Sequence, residues 1–141
     1  MQRDSYSPLD FTPTIAGRRR VICCHRSQLS GRFPSNSLAA VEECVAAGAA
    51  RLETDVRFLP DDSMLLFHGT DLDHGTTGTG KVDALSYNEA RQIRYCTPGS
   101  EPLCFLEEVV RAMQGSGATL QVDLTLMRPI SPHRVRLLAD A

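Results

Sequence analysis

From residue 51 the chain reads RLETDVRF. Leu52, Thr54, Val56 and Phe58 alternate with Arg51, Glu53, Asp55 and Arg57, the period-two pattern of a half-buried β-strand. The alternation returns in TLQVDLTL at 119–126, which predicts another strand. Two short apolar runs rich in β-formers, VICC at 21–24 and MLLFH at 64–68, predict two more, the first buried on both faces. Between them the period changes to that of helices. Asn36 is placed to cap a helix over SLAAVEECVAA, where Leu38, Val41 and Val45 form one apolar stripe and Gly48 ends it. Ser86 and Glu89 make a capping-box pair before a short helix. PLCFLEEVVRAMQ predicts a third helix, with Leu106, Val109, Val110 and Met113 on one face and Gly115 and Gly117 closing it. Ser131 followed by Pro132 opens a last one.

The order β-α-β-β-α-α-β-α predicts an α/β domain over 21–141 with a mostly parallel sheet. Residues 1–20 carry no period and read as a loosely structured lead-in.

Composition narrows the function classes. The chain has 141 residues, enough for one domain, with ordinary hydrophobic (42%) and charged (23%) fractions. Its 15 Lys and Arg against 17 Asp and Glu give a net charge of −2. That excludes a nucleic-acid binder driven by bulk charge. No apolar run approaches the roughly 20 residues of a membrane span, and the first residues lack the apolar core of a secretory signal. A cytoplasmic protein with no transmembrane segment is therefore expected. Cys23, Cys24, Cys44, Cys96 and Cys104 are odd in number and irregular in spacing, which suits reduced thiols. The run CCH at 23–25 does not suggest zinc, because successive strand residues face opposite ways.

Polar residues gather at the C-terminal ends of the candidate strands. His25 and Arg26 follow the first, Glu53 and Asp55 lie on the second, His68 ends the third, and Asp123 lies on the fourth. In parallel α/β folds that end of the sheet binds ligands. Glu53 and Asp55 leave the same side of their strand with Cα atoms ~6.6 Å apart. At an effective dielectric of about 20 they repel by roughly 2.5 kcal/mol, so something must hold them together.

Taken in order, HRS at 25–27, PSNSLAAVEECVAAGA at 34–49, LETDVRF at 52–58, LLFHG at 65–69, DLDHGTTGTGKVDAL at 71–85 and PLCFLEEVV at 102–110 form a pattern. It resembles that of the glycerophosphodiester phosphodiesterases. These are metal-dependent (β/α)8 barrels with His-Arg-Gly, Pro-Glu-Asn-Thr-Leu, Glu-x-Asp-Val and His-Asp motifs. The resemblance implies that Glu53, Asp55 and Asp123 ligate Mg²⁺ or Ca²⁺, Asp123 standing where the family usually has Glu. It implies that His25 and His68 act as general acid and base on a small glycerophosphodiester, with Arg26 on its phosphate. Several positions depart from the family pattern. Ser27 replaces Gly, Ser35 replaces Glu, Gly69 replaces Asp, and Thr125 replaces Lys. His74 stands where the loop usually has Arg, with Gly75 inserted.

A barrel of this type takes about 250 residues, and this chain supplies about four strands. The expectation is the N-terminal part of a TIM-type barrel, truncated, whose open sheet edges favour pairing with a second copy. Two other readings compete. One is a non-catalytic binding or dimerising scaffold. The other is a nucleotide-binding P-loop in GTTGTGKV at 75–82, which fits G-x-x-x-x-G-K but has Val82 where the metal-binding Ser or Thr belongs.

Overall fold

The computed structural model describes residues 9–124 and 129–141. Its first element is an exposed antiparallel hairpin of β1 (Thr14–Ile15) and β2 (Arg18–Arg19), in a stretch expected to be loose. Phe11, just before it, is buried, and its carbonyl accepts from the Ile22 amide at 2.8 Å. The domain is built around β4 (Arg51–Phe58). β3 (Cys23–Cys24) pairs in parallel with the start of β4, and β7 (Thr119–Leu124) pairs in parallel along the other edge, from Arg51 opposite Thr119 to Val56 opposite Leu124.

The segment at 64–68 departs from expectation. β5 (Met64–Leu66) runs antiparallel to β4, and β6 (Cys104–Phe105) runs antiparallel to β5. The cause is length, since the turn at 59–63 is far shorter than the dozen or so residues that a parallel crossover needs. The parallel set is therefore β3, β4 and β7, three strands rather than four, and no closed barrel forms among the described residues. The expected strand at 119–126 is seen as far as Leu124; 125–126 lie outside the described residues.

Two helices, α1 (Leu38–Ala46) and α3 (Leu106–Met113), cover one face of the sheet. Val41, Cys44, Leu52, Val56, Leu66, Leu106 and Val109 make the core there. The other face carries a second core of Leu59, Leu65, Phe67, Leu72, Val82, Leu103 and Phe105, most of it from the long segment between β5 and β6. With both faces covered, β4 is buried from Leu52 to Phe58, not half-buried as alternation alone suggests. β3 is the reverse case. It is an edge strand on which only Cys24 is buried, while Val21 and Ile22 stay about half exposed.

Local signals explain the helix ends. Ser37, not Asn36, caps α1, accepting from the Ala40 amide. The Ser86–Glu89 capping box opens α2 (Tyr87–Ala90), and Ser131 caps α4 (Pro132–Asp140). The stretch 75–82 leads only into a single 3₁₀ turn at Val82–Ala84, and Lys81 is paired with Asp71 at 2.6 Å. The helix N-terminus that a P-loop requires is absent there.

Candidate active site

Strand parity sends Glu53, Asp55 and Arg57 to the face opposite α1 and α3. Glu53 and Asp55 are 6% and 3% exposed, so both carboxylates sit in the protein and not on its surface. The parallel register sets Asp123 beside Asp55. Each of Glu53, Asp55 and Asp123 offers a carboxylate oxygen within 4.8 Å of the others, Asp123 from an exposed position.

The loop after β3 supplies the counter-groups. His25, Arg26 and Ser27 form a 3₁₀ turn in which Arg26 and Ser27 have φ of 52° and 53°. This left-handed region costs a residue with a side chain about 1–2 kcal/mol. The turn points the Arg26 amide at Glu53 Oε2, 2.7 Å away, and sets the Arg26 guanidinium Nε 3.5 Å from Asp55 Oδ2. Ser27, at the family's Gly position, is fully buried, and its hydroxyl donates to the Glu53 carbonyl at 3.3 Å. His25 is mostly exposed, with Nε2 3.8 Å from Glu53 Oε2.

Asn36 belongs to the site although its sequence position suggests only a helix cap. It is buried with φ +60°, a conformation Asn tolerates better than most residues. Its Nδ2 donates to Asp55 Oδ2 at 2.8 Å, and its Oδ1 accepts from the Thr54 hydroxyl at 2.8 Å and the Asp55 amide at 3.1 Å. Two side chains and one backbone amide are thereby locked. The signal available in the sequence was the adjacent Ser37, the better cap, which leaves Asn36 free for another task. Arg57, on the polar face of β4, carries no motif that marks it in the sequence. It is buried on the same face and grips Asp83 through Nε and Nη2, while Nη1 has no partner among the described residues.

His68 follows β5 and lines an open cavity of about 440 Å³ together with Asn36. The cavity adjoins the carboxylate cluster through Asn36, which touches both. The six predicted site residues therefore lie in two neighbouring groups. Glu53, Asp55, Asp123, Arg26 and His25 surround the acidic cluster, and His68 stands in the cavity wall. Thr125 lies outside the described residues.

Three carboxylates beside one guanidinium leave about two negative charges, which matches a divalent cation. The donor set is all oxygen, which suits Mg²⁺ or Ca²⁺ rather than softer metals. Glu53, Asp55 and Asp123 are the residues that would hold such an ion.

The chain is similar to known proteins. A model of the glycerophosphoryl diester phosphodiesterase family matches residues 25–139. A Mycobacterium tuberculosis protein named "Probable glycerophosphodiester phosphodiesterase 2" is 29% identical over 123 residues, covering 85% of this chain and 45% of its own length. Glycerophosphodiester phosphodiesterase 1 of Bos taurus is 35% identical over 60 residues, 43% of this chain and 18% of its own. The crystal structure of a glycerophosphoryl diester phosphodiesterase from Parabacteroides distasonis superposes with a TM-score of 0.71 at 26% identity, covering 92% of this chain and 46% of that one. The chain spans about half the length of the Mycobacterium tuberculosis relative and of the Parabacteroides distasonis structure.

Proposed function

This chain belongs to the glycerophosphoryl diester phosphodiesterase family, and we propose that it takes part in metal-dependent hydrolysis of glycerophosphodiesters to glycerol phosphate and an alcohol. The observation that carries the reading is the convergence of three carboxylate oxygens within 4.8 Å, with Arg26 and His25 against them. A bound divalent cation would withdraw charge from the phosphoryl oxygens and orient the attacking oxygen. Arg26 offers a planar guanidinium to the phosphate, a match for two oxygens at once. One of His25 and His68 accepts the proton of the glycerol hydroxyl as its oxygen attacks phosphorus, and the other gives a proton to the departing alcohol oxygen; water then opens the resulting cyclic phosphate with the two roles exchanged, which yields glycerol phosphate. Imidazoles serve both tasks near neutral pH.

Gly69 in place of Asp leaves His68 without the carboxylate that would orient it, so His68 is the weaker partner. Among the described residues no strand lies beyond β3 or β7, which supports addition of strands from a second copy, and sedimentation over a concentration series would reveal it. Among the described residues no helix is long and apolar enough to cross a membrane.

Phosphorus NMR of glycerophosphodiesters incubated with the 141-residue protein and Mg²⁺ or Ca²⁺ tests the activity. Release of glycerol phosphate is expected, reduced about 10²–10⁴-fold in His25→Ala and less in His68→Ala. Unchanged turnover in both variants refutes the assigned mechanism. Cation binding with no turnover under any condition favours the scaffold reading instead.

A further inference from the structure

Four departures from the family pattern, Ser35, Gly69, His74 and Gly75, line one cavity, the one that holds His68 and Asn36 in its wall. At about 440 Å³ it falls in the usual range of small-molecule sites, roughly 300–1,000 Å³, and exceeds what a three-carbon glycerol unit fills. Phe67 and Tyr95 give it an aromatic side, their rings 6.3 Å apart and only 19° from parallel. Burial, with Cys104 and Asp55 adding to it, pushes the Tyr95 phenol well above its ordinary pKa, so it stays a neutral O–H donor. Ser35, Thr97 and His74 add small polar groups.

The charge of the lining is equally informative. Asp71 is the one carboxylate in the wall. It is already taken by Lys81 at 2.6 Å and by the Thr70 hydroxyl at 2.6 Å. Ser35 and Gly69 stand where the family pattern has Glu and Asp, so two further carboxylates are missing. The cavity wall itself offers a cationic amino alcohol no unpaired carboxylate, and the acidic cluster next to it is the one that a divalent cation would neutralise. The two rings stack nearly parallel, one behind the other, and do not converge as a cage around an ammonium. A polyol fits better, with its C–H face on the rings and its hydroxyls on the polar groups.

Resting on the phosphodiesterase reading above, we infer that this cavity takes the alcohol group of the phosphodiester and selects a neutral, polyhydroxylated alcohol of about sugar size over a cationic one. It then also places the departing oxygen beside His68, which makes His68 the proton donor and His25 the base.

The test compares a glycerophosphohexose with glycerophosphocholine, which share the glycerol phosphate and differ only in the alcohol. Binding is followed by NMR on His25→Ala with Mg²⁺ present, reading the Gly69 and Gly75 amides. The hexose ester should bind about tenfold more tightly, a difference easily resolved in Kd, and move both amides. Ser35→Glu should strengthen choline ester binding by roughly fivefold, the size of a partly solvated ion pair. Ser35 is chosen because a Cβ at Gly69 would meet Phe67 Cε1 at 3.0 Å. Equal affinities, a preference for choline, or unmoved Gly69 and Gly75 amides overturn the assignment. Hydrolysis of the same two esters by the wild type is scored separately. Selective binding without turnover removes the reaction and leaves the cavity assignment standing, whereas turnover without selectivity does the opposite.

Discussion

Replacing Asn36 by Ala removes the group that ties the loop before α1 to β4. The Thr54 hydroxyl and the Asp55 amide both lose their acceptor, and both are buried. Each unsatisfied group of this kind costs about 1–3 kcal/mol. Asp55 loses a charge-assisted donor at 2.8 Å, worth about 1.5–3 kcal/mol. Ala must also hold φ near +60°, at about 1 kcal/mol more than a residue suited to that region. Water entering the space through the adjoining cavity recovers part of the sum. The net loss expected is ~3–5 kcal/mol, a large share of the ~5–15 kcal/mol that stabilises a typical domain.

Urea denaturation followed by circular dichroism measures it, with an unchanged slope showing that the midpoint shift is a stability change. Asn36→Gly separates the backbone from the side chain, because Gly accepts a positive φ freely. It should be about 1 kcal/mol more stable than Asn36→Ala and still far below wild type. A loss under about 1 kcal/mol in Asn36→Ala would show that the three hydrogen bonds do not hold the site, and the reasoning built on them fails.

Asp55→Asn should weaken Mg²⁺ and Ca²⁺ binding in calorimetry by about tenfold or more, and equal affinity in wild type and variant removes the cation reading. Ellman's reagent should label exposed Cys23 and Cys96 quickly, and Cys24, Cys44 and Cys104 only after unfolding. Burial pushes the Cys44 thiol up to about 12, so it stays protonated in the fold while the unfolded chain ionises above about 8.5. The folded state then holds the extra proton, and stability should fall as pH rises past that point. Asp62 is held below its usual range by the hydrogen bond from Arg134, with His133 adding to it, and these contacts tie α4 to the turn after β4. The depressed pKa means that the anchor holds above about pH 4 and loosens as acid titrates Asp62. Asp62→Ala should make α4 the first site of limited proteolysis, and an unchanged cleavage pattern counts against the anchor.

Much of the fold is legible in the chain because periodicity and capping act locally. The capping box at Ser86 and Glu89, the Ser131–Pro132 start of α4 and the apolar face of α3 need no distant partner to be read. The direction of β5 was equally available. The turn at 59–63 is too short for a parallel crossover, so within a mostly parallel sheet the chain must reverse there. Burial was less accessible. Alternation shows that one face of β4 is apolar, but not that the long segment 70–103 folds over the other. Family likeness supplied the grouping of Glu53, Asp55 and Asp123, which only the parallel register of β7 makes physical. Asn36 was hidden by its own adequacy as a cap residue.

The repulsion between Glu53 and Asp55, roughly 2.5 kcal/mol at an effective dielectric of 20, is met in stages by unlike means. The Arg26 amide serves Glu53, while Asn36 Nδ2 and the Arg26 guanidinium serve Asp55. The two hydrogen bonds, from the Arg26 amide and Asn36 Nδ2, are worth about 1.5–3 kcal/mol each, and the Arg26 guanidinium adds a charge contact at 3.5 Å without a hydrogen bond, so the pair is tolerable in the fold. Those donors approach from the β3 and α1 loops, leaving the side toward β7 to Asp123. A third carboxylate there adds repulsion without adding a donor, and it gains nothing for the fold alone. Strained φ angles at Arg26, Ser27 and Asn36 are a second cost concentrated in the same few residues. Two unfavourable terms at one place, with the remaining charge near −2 and oxygen donors converging, are what the cation proposed above would require of a site preorganised for it.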